Sequence, residues 1–301
     1  MSTNFRKYNI QKDFQRVGDF LVKHYQPGNR DGNFLQPAWE YMHYHPWFKD
    51  ELMDNSGLWE DGGEIVAVAH PESITGEAFI ELHPDYARLK PEILDYAEKH
   101  LGGKDPEGRM SVLVFINDFD KEFEEPAQAR GFEILPELER RMTYWTIPHP
   151  FPPINLPPGF RLQSLADEND IAKLDRCIYR GFNHGDEPPH IDYAGRKKMQ
   201  SAPSFRKDLN IVVVAPDGGY VSYAGLWYDN TGRYGYVEPV CTDPDYRLRG
   251  LGKAAVMEGI RRCGELGASV AYVGNTLPIY LSIGFRQIFA TRCWKKYLDR
   301  N

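Results

Sequence analysis

The sequence predicts an α/β protein of two domains, each a mixed, mostly antiparallel sheet flanked by helices. Three observations carry this expectation. A strand-like run, Tyr234-Gly-Tyr-Val-Glu-Pro-Val-Cys241, passes through a turn into a glycine loop and a helix-like run ending near Cys263. A segment with six prolines, Ile147 to Gly159, separates two halves of similar length. The first half then repeats, in fainter form, the order of elements in the second.

Taken along the chain, the first half predicts a helix around 11–25 and another near 36–47 from their apolar spacing. Gly57 to Ala69 reads as a hairpin, and Ala78-Phe-Ile-Glu-Leu82 as a strand. His83-Pro-Asp-Tyr86 follows, then Arg88-Leu-Lys-Pro91 and a helix over 92–100. Met110-Ser-Val-Leu-Val-Phe115 is the next strand, and Gly131-Phe132 closes the pattern. Prolines deny the 147–158 segment both helix and sheet hydrogen bonds, so it reads as an extended linker. The domains are therefore expected at 1–146 and 159–301.

In the second half, Phe160 to Leu165 reads as a strand, and Asp167-Glu-Asn-Asp170 opens a helix marked by Ile171, Leu174, Ile178 and Phe182. Pro216-Asp-Gly-Gly219 between Ile211–Ala215 and Tyr220–Tyr228 is a hairpin signal. After the 234–241 strand, Asp243-Pro-Asp-Tyr246 forms a turn and Arg247-Leu-Arg-Gly-Leu-Gly252 a loop. The helix from Lys253 stops at Gly264-Glu-Leu-Gly267. A strand over 268–273 leads through Asn275 and Tyr280 to Gly284-Phe285, and two short antiparallel strands are expected at about 285–290 and 293–298.

Residues 247–252 are the most informative. A strand, a turn rich in backbone N–H groups and a helix N-terminus make an anion site, and glycines allow close backbone approach. The dinucleotide pattern G-x-G-x-x-G is not met, since no glycine precedes Gly250 suitably and Ala255 stands at the third place. The triphosphate loop G-x-x-x-x-G-K-[ST] is not met either, because Ala254 follows Lys253. A glycine turn capping a surface helix is the bland alternative. What remains, R-x-x-G-x-G, resembles the acyl-CoA loop of the GNAT acetyltransferase superfamily. The resemblance covers roughly 159–301 and is strongest over 236–285, where an asparagine after a strand, a tyrosine on a short helix and a Gly-Phe pair stand in family order.

That resemblance implies two GNAT-like acyl-CoA N-acyltransferase domains, the first divergent because its loop lacks glycine and Pro91 lacks an N–H. It implies acetyl-CoA as acyl donor, held by the backbone of Arg247, Leu248, Arg249, Gly250, Leu251, Gly252 and Lys253, with the two arginines adding charge. The amides of Val240, Cys241 and Thr242 would hold the pantetheine arm and polarise the thioester carbonyl, the logic of an oxyanion site. Tyr280 is the expected general acid, or else a core aromatic. Glu238 is the expected general base, its pKa raised by an apolar setting, or else a strand-end ion-pair member. Asn275 orients cofactor or water, or is a turn residue. A nucleophilic Cys241 is disfavoured, since no Cys/His pairing is visible and direct transfer needs no covalent enzyme intermediate.

The expected activity is N-acetyl transfer to a primary amine of a small molecule or peptide in a ternary complex. Another acyl-CoA donor, an O-linked acceptor, or a non-catalytic acyl-CoA-binding module are the alternatives. A net charge of −7 from 36 basic and 43 acidic residues argues against nucleic acid. No apolar window reaches membrane-span length, and the N-terminus has no signal-like core. Four widely spaced cysteines suit reduced thiols and a cytoplasmic setting. His43 and His45, and His184 and His190 around Gly185-Asp-Glu-Pro-Pro189, match no metal-site spacing, so no metal is expected. Asp186 and Glu187 would suit a cationic acceptor or merely solubility, and a monomer or homodimer is expected.

Overall fold

The computed structural model describes residues 3–189 and 192–298. Along the chain run β1 (Asn4–Lys7), α1 (Ile10–His24), α2 (Gln36–Tyr44), β2 (Gly57–Asp61), β3 (Glu64–His70) and β4 (Glu77–Leu82). Then come α3 (Lys90–His100), β5 (Gly103–Lys104), β6 (Met110–Asn117), α4 (Lys121–Ala129) and β7 (Glu133–Thr146). The second half holds β8 (Arg161–Ser164), α5 (Ile171–Gly181), α6 (Ala194–Gln200), β9 (Ile211–Val214), β10 (Tyr220–Asp229) and β11 (Tyr234–Thr242). It finishes with α7 (Leu251–Glu265), β12 (Val270–Val273), α8 (Pro278–Ile283) and β13 (Arg286–Tyr297).

Two compact units result, and they do not follow the expected halves. The first comprises 1–43, 48–142 and 287–301; the second comprises 44–47 and 143–286. Residues 147–158 thus belong with the second unit, where Ile147, Phe151 and Leu156 pack against its core rather than forming a free connector.

In the first unit the strand order is β1-β2-β3-β4-β6-β13-β7, with β5 also on β6. β4 and β6 pair parallel and are bridged by α3, as a parallel pair requires a crossover. Trp59, Ile93, Leu94, Val112, Val114, Phe123 and Trp294 fill one face, and Val17, Leu21, Trp39 and Leu58 the other. β13 pairs β6 antiparallel without a break from Thr291↔Asn117 to Tyr297↔Ser111. The two short strands expected at 285–290 and 293–298 are therefore one strand of 12 residues. No Gly, Pro or Asn interrupts 286–297, so no turn chemistry is present to divide it.

The second unit's order is β7 (its 143–146 end), β12, β11, β10, β9, β8. Again one pair is parallel, β11 with β12, and α7 is its crossover. Leu226, Val237, Leu251, Val256, Ile260 and Phe285 make the core on the α7 side; Leu174, Cys177, Ile178, Tyr223 and Cys241 make it on the α5 side. The Pro216–Gly219 turn closes the β9–β10 hairpin with Ala215 N–H donating to the Gly219 carbonyl at 2.9 Å. α7 ends as its glycines predict: Ala268 N–H returns to the Cys263 carbonyl at 2.9 Å, and Gly267 is left-handed with φ +102°. The helix expected over 36–47 stops at Tyr44, because Pro46 disfavours helical geometry just before it.

Candidate active site

The site is built where β11 parts from β12. Their parallel pairing ends at Tyr236↔Tyr272, while β11 runs on to Thr242. On the other edge, Asp243 N–H donates to the Val221 carbonyl at 3.0 Å, and Thr242 lies opposite Ser222. Antiparallel hydrogen bonding alternates, so the Val240 and Thr242 amides face away from β10, along the edge that β12 has left. Cys241 alternates the other way: its thiol donates to the Cys177 carbonyl at 3.7 Å, and its side chain is buried against α5. A bulge at Gly225 places Glu238 and Pro239 in the extra length of β11.

Asp243 caps the single turn Pro244–Tyr246 by accepting from Asp245 N–H at 3.0 Å. Beyond it the loop is strained. Leu248 has φ +62° and a fully exposed side chain, an unusual state for a leucine. Gly250 is the left-handed residue before α7, with no side-chain cap, and a Cβ there would meet nothing within 4 Å. The start of α7 thus has no side chain from its N-cap residue to accept from its first N–H groups. Leu251 is a core side chain, leaving only its backbone for a ligand. Gly252 permits close approach: its Cβ would lie 3.0 Å from Thr242 Oγ1 and 3.2 Å from Ile279 Cδ1.

The charged members of the loop are engaged with the chain. Arg247 donates to the carbonyls of Thr242 (3.1 Å) and Gly181 (2.9 Å) and to Asn183 Oδ1 (2.8 Å). Arg249 donates to the Asp245 carbonyl at 3.1 Å and lies over the Tyr246 ring at 5.3 Å. Lys253 Nζ donates to the Ser282 carbonyl at 2.8 Å, tying α7 to α8.

Glu238 and Tyr280 are brought together. Tyr236 donates its hydroxyl to Glu238 Oε2 at 2.7 Å, and Trp227 Nε1–H donates to the Glu238 carbonyl at 2.9 Å. Tyr280 is buried on α8, edge-on to Phe285 at 5.8 Å. Burial, and then the nearby Glu238 carboxylate, push its phenol above the usual tyrosine range. Asn275 Oδ1 accepts from Leu277 N–H at 2.9 Å at the entry to α8.

Sequence reasoning missed Arg180, Tyr236 and Trp227. Arg180 had a signal, a charged residue three after Cys177 on the buried stripe of α5, where burial demands a partner. Elsewhere, His43 is a satisfied core histidine, bonded to the Trp39 carbonyl at 2.9 Å. His45 and Trp47 lie in the second unit, Trp47 edge-on to His184 at 5.1 Å. Asp186 pairs with Arg180 and Glu187 with Arg176. His190 lies outside the described residues. Among the described residues no group of three metal-binding side chains converges, and no helix is long and apolar enough to cross a membrane.

Residues 169–285 match the model of the acetyltransferase (GNAT) family. No curated protein matches the chain. A GCN5-related N-acetyltransferase from Sphaerobacter thermophilus is similar in structure, with TM-score 0.66, 15% identity, and 99% of this chain and 96% of that one covered. A tandem GNAT protein from the clavulanic acid biosynthesis pathway gives 0.63 at 11% identity, with both chains covered in full. The N-myristoyltransferase of Saccharomyces cerevisiae gives 0.54 at 12%, covering 100% of this chain and 80% of that one. Residues 169–285, within the second unit, thus carry the sequence pattern of the acetyltransferase (GNAT) family, and the solved structures show the GNAT fold across the whole chain.

Proposed function

We propose that the second unit transfers acetyl from acetyl-CoA to a primary amine of a small molecule or peptide, by direct attack. The observation that carries this reading is the coincidence of two unfilled donor sets. The uncapped start of α7 behind left-handed Gly250 suits a pyrophosphate, and the Val240 and Thr242 amides on the freed edge of β11 suit an amide-bearing arm. Anchoring falls to the backbone of 248–253. Arg247 and Arg249 shape the loop through carbonyls and add positive potential rather than reaching outward. Acetyl-CoA would supply an activated thioester carbonyl.

The chain's own residues handle protons and charge. Glu238 accepts the amine proton, directly or through water, with Tyr236 fixing its carboxylate. The strand amides receive negative charge on the carbonyl oxygen. Tyr280, kept protonated by burial, gives its proton to the leaving thiolate. A proton passing from Glu238 to Tyr280 then restores both. Four buried free cysteines suit a reducing cytoplasmic setting.

The first unit reads as a relative that has lost its chemistry. Phe132 N–H bonds the Ala127 carbonyl just as Phe285 N–H bonds that of Tyr280, so Ala127 stands in the acid's place. Ala78 precedes His83 by five residues, as Glu238 precedes Asp243. His83 N–H donates to the Val66 carbonyl, which turns the Leu82 amide to the edge facing β6. There Asn33 occupies both backbone groups of Leu82, accepting at 2.7 Å and donating at 3.3 Å. A side chain from the α1–α2 connection thus fills the position matching the Thr242 amide.

Calorimetric titration with acetyl-CoA tests the assignment. One site per chain with acetyl turnover on an amine panel supports it. Two sites would restore a functional first unit, binding without turnover would favour a binding module, and turnover with only longer acyl-CoA would shift the donor class.

A further inference from the structure

Arg180 belongs to no step of the chemistry above, yet its guanidinium is among the most committed in the molecule. It is 8% exposed and grips three carboxylates. Nε donates to Asp243 Oδ2 at 2.6 Å, and one terminal nitrogen donates to Asp243 Oδ1 at 3.2 Å and Asp245 Oδ2 at 2.7 Å. The other terminal nitrogen donates to Asp186 Oδ1 at 2.5 Å. Asp243 and Asp245 belong to the turn that leads into the glycine loop; Asp186 lies in the loop after α5. Burial pushes the Asp243 carboxyl up, but Arg180 outweighs it and holds the carboxyl below the usual range.

A second arginine crosses between the same two segments in the opposite direction. Arg247, on the glycine loop, donates to Gly181 and Asn183, one and three residues after Arg180. The two guanidiniums close a ring of hydrogen bonds: α5 to the turn through Arg180, and the loop back to α5 through Arg247. Neither segment can shift without breaking geometry in the other. Lysine would not substitute, since its three donors radiate from one nitrogen and cannot reproduce four bonds from the three spread nitrogens of the planar guanidinium.

We propose that Arg180 is a positioning residue that couples the glycine loop to residues 182–189, so that occupancy of the loop by the acyl donor sets the conformation of that neighbouring segment. The proposal rests on the acyl-CoA reading above. Its test is hydrogen exchange of the 182–189 peptide in the full-length protein, with and without coenzyme A, beside calorimetric binding of coenzyme A.

In the wild type, coenzyme A should slow exchange at 182–189 by about tenfold, within the usual range of coupling between sites. Arg180→Lys should bind coenzyme A about tenfold more weakly and lose that response. Because Arg180→Lys can fail to fold, Asp186→Asn serves as the second variant: its side chain is 92% exposed, and the buried Arg180–Asp243 pair stays intact. It should keep coenzyme A affinity within about twofold while its response at 182–189 drops severalfold. A wild type that binds coenzyme A with no change at 182–189 overturns the coupling and leaves the cofactor assignment standing, as would a full response in the folded variants. A folded wild type that binds no coenzyme A overturns the functional reading, and the coupling falls with it.

Discussion

Replacing Tyr280 by phenylalanine separates catalysis from stability at one atom. The side chain is 6% exposed and packs with Phe285, and its ring is retained in the variant. Among the described residues its hydroxyl makes no hydrogen bond to the protein, so the substitution leaves no partner stranded. Stability should change by no more than about 1 kcal/mol. Catalysis should respond differently. A positioned acid contributes about 10²–10⁴-fold, or roughly 3–5 kcal/mol of barrier. Since the hydroxyl is proposed to act on the departing thiolate and not on the anchored nucleotide, coenzyme A affinity should stay within about threefold of wild type. The assay is release of free thiol, trapped colorimetrically, with saturating acetyl-CoA and an amine that the wild type acetylates. Thermal unfolding and calorimetry run alongside. Turnover within about twofold of wild type would remove Tyr280 from the acid role. A large fall in both turnover and melting temperature would mean that the hydroxyl had been holding the fold.

The two loop glycines should fail in different ways. Gly252→Val drives a side chain against Thr242 and Ile279 and should cost about 1–3 kcal/mol of stability, whereas Gly250→Ala meets no atom and is penalised by its φ of +79° alone, about 1–2 kcal/mol; equal melting temperatures for the pair would contradict this. Asn33→Ala should lower stability by about 1–3 kcal/mol through the lost Leu82 bonds, with coenzyme A stoichiometry still one by calorimetry. Burial, then Arg196 and Lys198, push the His45 imidazole down to about 4 from 6.5, so the unfolded chain takes its proton first as pH falls. Stability from this residue is complete above about 6.5 and should be lost progressively toward pH 4, by at most about 3 kcal/mol; His45→Gln should flatten that part of a pH series of denaturation curves.

What the sequence disclosed, and what it did not, divides by distance along the chain. Local signals held: the Asp-Gly-Gly hairpin turn, the glycine stop of α7 and the uncapped α7 start all follow from residues within a few positions of one another. Glu238 and Tyr280 were proposed because a strand-loop-helix pattern resembling a known family suggests their places. Long-range commitments were not legible. Nothing near Arg247 says that its guanidinium goes to Gly181, 66 residues away. Nothing near Asn33 points to Leu82, 49 residues on. Apolar runs at 285–298 show strand character but not which sheet receives them, because every half-buried sheet edge presents the same backbone donors and acceptors.

That last strand has a consequence for how the polypeptide is made. Thr291 and Asn117 share a hydrogen bond across 174 residues of sequence. A ribosome therefore emits β6 long before its β13 neighbour exists, and the first unit must wait, one sheet edge open, while nearly the whole second unit is synthesised. A premature stop near residue 286 would spare every proposed catalytic residue and still deprive the other unit of a central strand. Nascent-chain protease protection, followed as a function of length, should show the N-terminal unit gaining resistance only after about residue 297 has cleared the exit tunnel.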